Sequence, residues 1–188
     1  IKLPALFRDG MILQRQQPVP VWGWAPSGTP VSVAFSGQSK ETKADKNGKW
    51  SLTLDALNAS AESAEMTVTV GKESKTIKDV LVGEVWICSG QSNMDFAMAA
   101  IARASRDPKD QSIPDYVANE IKTAKDPLFR QIQVKKNVSA FKEVETFIGS
   151  WATVAPKNTP SFTAVGYFFG RELRTKLKIP VGLIKCAW

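Results

Sequence analysis

The chain has 188 residues, 25 Lys and Arg against 18 Asp and Glu for a formal net charge of +7, and no histidine. With 43% hydrophobic and 23% charged residues, it reads as one globular domain or two small ones, and no stretch approaches the roughly 20 apolar residues needed to span a bilayer. Without imidazole, these residues cannot by themselves supply a histidine-ligated metal, a Ser–His or Cys–His pair, or an imidazole acid–base.

Residues 1–81 read as all-β. Residues 19–24 are short and β-rich, and Ala25-Pro26-Ser27-Gly28 is a turn. Residues 31–35, 50–54 and 66–70 alternate with period two, as half-buried strands do. Lys46-Asn47-Gly48-Lys49 is a hairpin signal, and residues 74–81 make one more strand. Six or so short, closely spaced strands predict a small β-sandwich.

The texture changes near Gly83. Residues 84–88 form a nearly continuous apolar run, which predicts a strand covered on both faces. Residues 92–104, rich in Ala and Met, predict a helix. Residues 107–114 read as a loop, 116–125 as a second helix and 131–134 as a strand. Thr159-Pro160 predicts a helix start, with Thr as N-cap and Pro at the first position. Val165, Phe168, Phe169, Leu173 and Leu177 recur at helical spacing and mark the expected buried face. Ile179-Pro180 stops the helix, and residues 181–187 form a last apolar strand. This order predicts an α/β unit with a largely parallel sheet.

The charges are interspersed. Lys135-Lys136 is the nearest approach to a basic run, which excludes a phosphate-tracking surface, and with it nucleic acid as partner. Cys88 and Cys186 end short apolar runs and are expected as buried free thiols, with one bridge open to them if the runs are neighbouring strands. No Cys-x-x-Cys supports zinc, and no cofactor is called for. The start at Ile1, with neither Met nor a basic-then-apolar leader, predicts a mature exported product (secreted, periplasmic or lysosomal) whose signal has been removed. Asn58 and Asn137 stand in glycosylation sequons.

Gly90-Gln91-Ser92-Asn93-Met94 closely follows an apolar strand and leads into a helical segment. An α/β enzyme places its nucleophile there, at the carboxyl end of a strand. A serine among the free N–H groups of a helix start can have its oxyanion intermediate held by them, and Gly90 lets the chain turn sharply. The commoner role of a serine here is helix capping. Met94 stands where the nucleophile elbow of the α/β-hydrolase fold has its second glycine. Other constellations are weaker. Gly71-Lys72-Glu73-Ser74 lacks the first glycine of a phosphate loop, because Met66 occupies it. Glu84 and Asp95 as a glycosidase pair compete with plainer roles, a strand start and a charge near a helix N-terminus. Trp22, Trp24, Trp50 and Trp86 read as core before they read as a sugar platform.

The stretch from Gly83 to Met94, Gly-Glu-Val-Trp-Ile-Cys-Ser-Gly-Gln-Ser-Asn-Met, resembles the first motif block of the SGNH hydrolases, and more narrowly the sialate O-acetylesterase family of carbohydrate esterases. Leu6-Phe7-Arg8-Asp9-Gly10-Met11 and Pro18-Val19-Pro20-Val21-Trp22-Gly23-Trp24 resemble the family's N-terminal β-domain. Ala164-Val165-Gly166-Tyr167-Phe168-Phe169-Gly170-Arg171 resembles the helix before the second block, and Val181-Gly182-Leu183-Ile184-Lys185-Cys186-Ala187-Trp188 the strand entering it.

The resemblance implies a β-sandwich (jelly-roll-like) at residues 1–81, then part of an SGNH, flavodoxin-like parallel-sheet core at 82–188. It implies Ser92 as nucleophile and its N–H as one oxyanion donor, Trp188 near the site, an acetyl-enzyme intermediate, and O-acetylated carbohydrate, sialic acid foremost, as substrate; Gln91 and Asn93 flank the nucleophile, either contacting substrate or bracing the loop. The family's second-block glycine, third-block asparagine and Asp-x-x-His base match no residue here. The expectation is therefore that a second polypeptide carries them and completes the sheet. The competing expectation is a non-catalytic carbohydrate-binding or structural β-domain with a truncated hydrolase half.

Overall fold

The computed structural model describes residues 1–104, 110–139 and 143–188. The chain forms strands β1 (Ile12–Gln14), β2 (Val19–Trp24), β3 (Pro30–Phe35), β4 (Gln38–Lys43), β5 (Lys49–Leu54), β6 (Ser60–Val70) and β7 (Glu73–Gly90). After these come helices α1 (Ser92–Asp95), α2 (Met98–Arg103) and α3 (Ser112–Thr123), strands β8 (Asp126–Gln133) and β9 (Trp151–Val154), helix α4 (Ala164–Leu177) and strand β10 (Val181–Ala187). Mixed α/β architecture is what the alternating and continuous apolar runs call for.

The first part packs β4-β3-β6-β7 edge to edge as antiparallel neighbours, with β1 parallel to β7 at residues 81–83. A separate antiparallel pair, β2 with β5, packs onto it. Both layers turn alternate residues inward, so Val21, Leu52, Leu54, Val33, Met66, Val68, Ile77 and Val80 share one core. The Asn47-Gly48 turn forms, with Asp45 Oδ1 accepting the amides of Asn47 and Lys49. It does not make a hairpin: β4 pairs with β3 while β5 pairs with β2, so this turn carries the chain between layers.

β7 is the spine of the molecule. Its first half belongs to the antiparallel layer; its second half, residues 84–90, pairs in parallel with β10, which pairs in parallel with β8. Strand β9 closes that end antiparallel to β8. The helices gather on one side, where Cys88, Met98, Val117, Phe129, Phe162, Tyr167 and Leu183 form a second core. Tyr167 ties α4 to α3 by donating to Glu120 Oε2 at 3.2 Å, and burial pushes its phenol up to about 12. Gly83 marks the change of partner: a Cβ there would collide with the Pro180 carbonyl oxygen, so only glycine lets β10 enter the sheet at this point.

Several expectations change. The apolar run of β7 is not covered on both faces: Trp86 is 43% and Ile87 68% exposed. The helix expected over 92–104 breaks into α1 and α2. The loop expected at 107–114 overlaps residues outside those described, but its end is already helical, because α3 begins at Ser112. Thr159-Pro160-Ser161 is a single 3-10 turn, and the true N-cap is Thr163, whose Oγ1 accepts from the Gly166 amide. The face of α4 turned inward is Ala164, Gly166, Tyr167 and Gly170; of the expected set, Phe168 and Leu173 pack against the second core, while Val165, Phe169 and Leu177 are exposed. Small residues won because the helix lies close against Phe129 and Leu183.

Candidate active site

Strands β7 and β10 end side by side. The register pairs Ala187 with Gly90, and the Trp188 amide donates to the Gly90 carbonyl at 3.0 Å. Gly90 itself has φ +128°, a conformation that L side chains rarely adopt. The backbone therefore leaves the sheet abruptly and delivers Ser92 as the first residue of α1, at the carboxyl end of a parallel pair.

The turn's hydrogen bonds begin with the amides of Met94 and Asp95, both donating to the Gln91 carbonyl. The amides of Ser92 and Asn93 precede that first bond, as the leading N–H groups of a helical turn do. A helix of one turn has only a slight dipole, so local N–H groups matter here more than a macrodipole. Gln91 is the N-cap residue without a side-chain capping bond. Ser92 is exposed, and among the described residues its hydroxyl has no hydrogen-bond partner.

Two recesses lie near the serine turn. Asn93 joins Phe96, Ile101, Ile113, Pro114 and Val165 around an open apolar cleft of about 630 Å³. A second cleft of about 300 Å³ is lined by Lys135, Lys136, Asn137, Cys186 and Trp188, and Lys136 joins it to Asp95 of the turn. Trp188 is 61% exposed. The structure thus brings Gln91, Ser92, Asn93 and Trp188 to one end of the sheet.

The carboxylates that flank the motif are occupied. Glu84 accepts from Arg15 Nε at 2.7 Å. Asp95 ends α1 rather than opening it, and it is held by Lys136 at 2.6 Å and Lys185 at 3.0 Å. Hydrogen bonds from Lys136 first, then Lys185, hold its carboxyl below the usual range. Neither carboxylate is left to act as half of a glycosidase pair. Lys185, Lys136 and Thr163 are the residues that sequence reasoning missed around this turn; a lysine inside the apolar run 181–187 was the available signal.

The two cysteines do lie on neighbouring strands, but Cys88 pairs in register with Lys185 and Cys186 with Ser89. They face opposite sides of the sheet, and both are free thiols. Cys88 is buried as expected; Cys186 is exposed, because its side of β10 carries no helix. Burial first, and Cys186 nearby second, push the Cys88 thiol up. Trp22 and Trp24 are half-buried, Trp22 edge-on to Phe7 and Trp24 beneath Lys2, and Trp50 is buried in the first core. Asn58 and Asn137 are both exposed. No helix of the described residues is long and apolar enough to cross a membrane.

No family model matches the chain. It is similar to curated proteins named sialate O-acetylesterase: 29% identical to one from Mus musculus over 95% of the chain, and 27% identical to one from Homo sapiens over its whole length. A crystal structure described as a novel carbohydrate acetylesterase from Xanthomonas citri superposes with a TM-score of 0.86 and 35% identity, covering 99% of this chain and 40% of that one. The chain spans 34% of the mouse protein and 37% of the human one. The resemblance carried by residues 83–94 therefore extends over the whole of the chain.

Proposed function

We propose that these residues carry the nucleophile of a serine carbohydrate esterase that removes O-acetyl groups, with sialic acid the foremost sugar. The observation that carries this reading is the break at Gly90, which puts Ser92 at the carboxyl end of β7 with an amide that has no partner among the described residues, while Trp188 bonds to the Gly90 carbonyl. In this reading residues 1–81 are a β-sandwich and 82–188 part of an SGNH-type α/β core, and the protein is exported. Similarity to carbohydrate acetylesterases over nearly the whole chain supports it.

Ser92 Oγ attacks the acetyl carbonyl carbon while its proton passes to a base. The Ser92 amide is one donor to the oxyanion, and the second-block glycine and third-block asparagine of the family, from outside these residues, supply the others. The tetrahedral intermediate collapses, the sugar oxygen departs with the proton from the base, and an acetyl-enzyme remains. Water, deprotonated by the same base, attacks the acetyl carbon, and acetate leaves as the serine recovers its proton. No cofactor enters these steps.

With no histidine in the sequence, the base is a histidine from polypeptide outside these 188 residues. That polypeptide also covers the open side of β7, where Ile87 is 68% exposed and only β10 pairs residues 84–90 among the described residues. The test is hydrolysis of p-nitrophenyl acetate by a preparation that includes the histidine, against a Ser92→Ala control. Loss of turnover in the control is expected, with activity falling below about pH 6.5 as the imidazole protonates. Equal rates in both proteins remove Ser92 from the mechanism.

A further inference from the structure

Lys185 is out of place in its strand. It is 4% exposed, on the same side of β10 as buried Leu183 and Ala187. A buried ammonium needs its charge and donors met. Here its partners among the described residues all belong to one residue: Nζ lies 3.0 Å from Asp95 Oδ1 and donates to the Asp95 main-chain oxygen, also at 3.0 Å. The other carboxylate oxygen accepts from Lys136 Nζ at 2.6 Å. The Lys136 ammonium in turn stands 5.7 Å from the centre of the Trp188 ring, within cation–π range.

Asp95 is the last residue of the turn that begins at Ser92. One turn of helix does not hold itself, since nucleation fixes several residues for very few hydrogen bonds. Its tethers toward α4 are known: Thr163 Oγ1 donates to the Met94 carbonyl at 2.6 Å, and the Ala164 amide donates to the Phe96 carbonyl at 2.8 Å. Nothing in those bonds fixes the turn against the sheet, where Gly90 and Trp188 lie. Lys185 does, because it grips side chain and main chain of the same residue and so sets both position and tilt.

We propose that Lys185 is a positioning residue: through Asp95 it clamps the serine turn onto β10, and Lys136 extends the clamp to Trp188. The claim rests on the reading of Ser92 as nucleophile, for which an error of about 1 Å in placement can cost on the order of a hundredfold in rate.

The clamp can be tested without catalysis. In the 188-residue chain, NMR order parameters for residues 92–95 should stand near about 0.85 and fall below about 0.6 in Lys185→Met, with those of Met66 and Val68 unchanged. Asp95→Asn alters a side chain 25% exposed, threatens the fold less, and should loosen the same residues; it decides the matter if Lys185→Met does not fold. A rigid turn in Asp95→Asn overturns the clamp. In the preparation that includes the histidine, Lys185→Met should lower kcat for p-nitrophenyl acetate about tenfold or more while KM stays within about twofold. Lys185→Arg, which keeps a cation and donors, should recover part of the loss. Normal kcat in Lys185→Met beside a dead Ser92→Ala refutes the clamp alone. Activity in Ser92→Ala refutes the nucleophile, and the order parameters then judge the clamp by themselves.

Discussion

Gly90 and Asp95 bracket the serine turn, one by conformation and one by charge. At φ +128°, Gly90→Ala forces either strain or a shift of the turn. It should cost about 1–3 kcal/mol and lower esterase turnover more than that loss of stability explains; denaturant melts beside kinetics separate the two. Asp95 behaves differently. Its carboxyl is held low by hydrogen bonds from Lys136 and Lys185, so its folded pKa lies below its unfolded one. The stabilisation is present above the unfolded value, about 3.9, and is lost as pH falls through the folded one. Order parameters of the turn should therefore be flat near neutrality and drop only on strong acidification. The thiols give a third check. Iodoacetamide at pH 8 should label Cys186, which is exposed, well before Cys88, which is buried and whose thiol is pushed up; peptide mass mapping reads the order.

Among the elements, period-two strands were the most readable. β2, β3 and β5 fall within a residue of their expected bounds, because one face of each meets a core and the other meets water. β4, Gln-Ser-Lys-Glu-Thr-Lys, carries no apolar signal and is a strand only because β3 offers it an edge. α4 was readable as a helix but only in part in its orientation. Of the five large apolar residues counted, Phe168 and Leu173 pack against the second core, while Val165, Phe169 and Leu177 are exposed; close approach to β8 and β10 turns Gly166 and Gly170 inward instead. The consequence is measurable: Gly170→Ala would press on the Phe129 ring and should cost about 1–3 kcal/mol, while Val165→Ser, half exposed, should change stability by about 0.5 kcal/mol or less. At the site, the motif pointed to Ser92 because a sharp strand-to-helix turn is a local signal. Lys185 and Lys136 stayed hidden because their role depends on which strands become neighbours.

At the scale of the molecule, one buried arginine holds the two cores together. Arg130 of β8 is 3% exposed and donates to the carbonyls of Gly10, Asp79 and Pro127 and to Asp79 Oδ1. Arg130→Met strands those acceptors and should cost about 3 kcal/mol or more, read as a lowered denaturant midpoint. The sheet side bearing Ile87 has the opposite character. Ile87→Asp should leave the melting temperature of the 188-residue chain nearly unchanged, as an exposed substitution does, yet abolish esterase activity if that side seats the histidine-bearing polypeptide. A fall in melting temperature equal to that of a core substitution counts against an open face.

The unbroken run of β7 from Glu73 to Gly90 has a consequence for how such a protein can be taken apart. The boundary that composition suggests, between residues 81 and 82, lies inside a strand whose amides are engaged with β6 and β1 just before it and β10 just after. There is no linker for a protease to enter and no joint about which the halves can swing. A chain cut or spliced at this point would keep two broken sheets, so the β-half and the serine turn stand or fall on one strand.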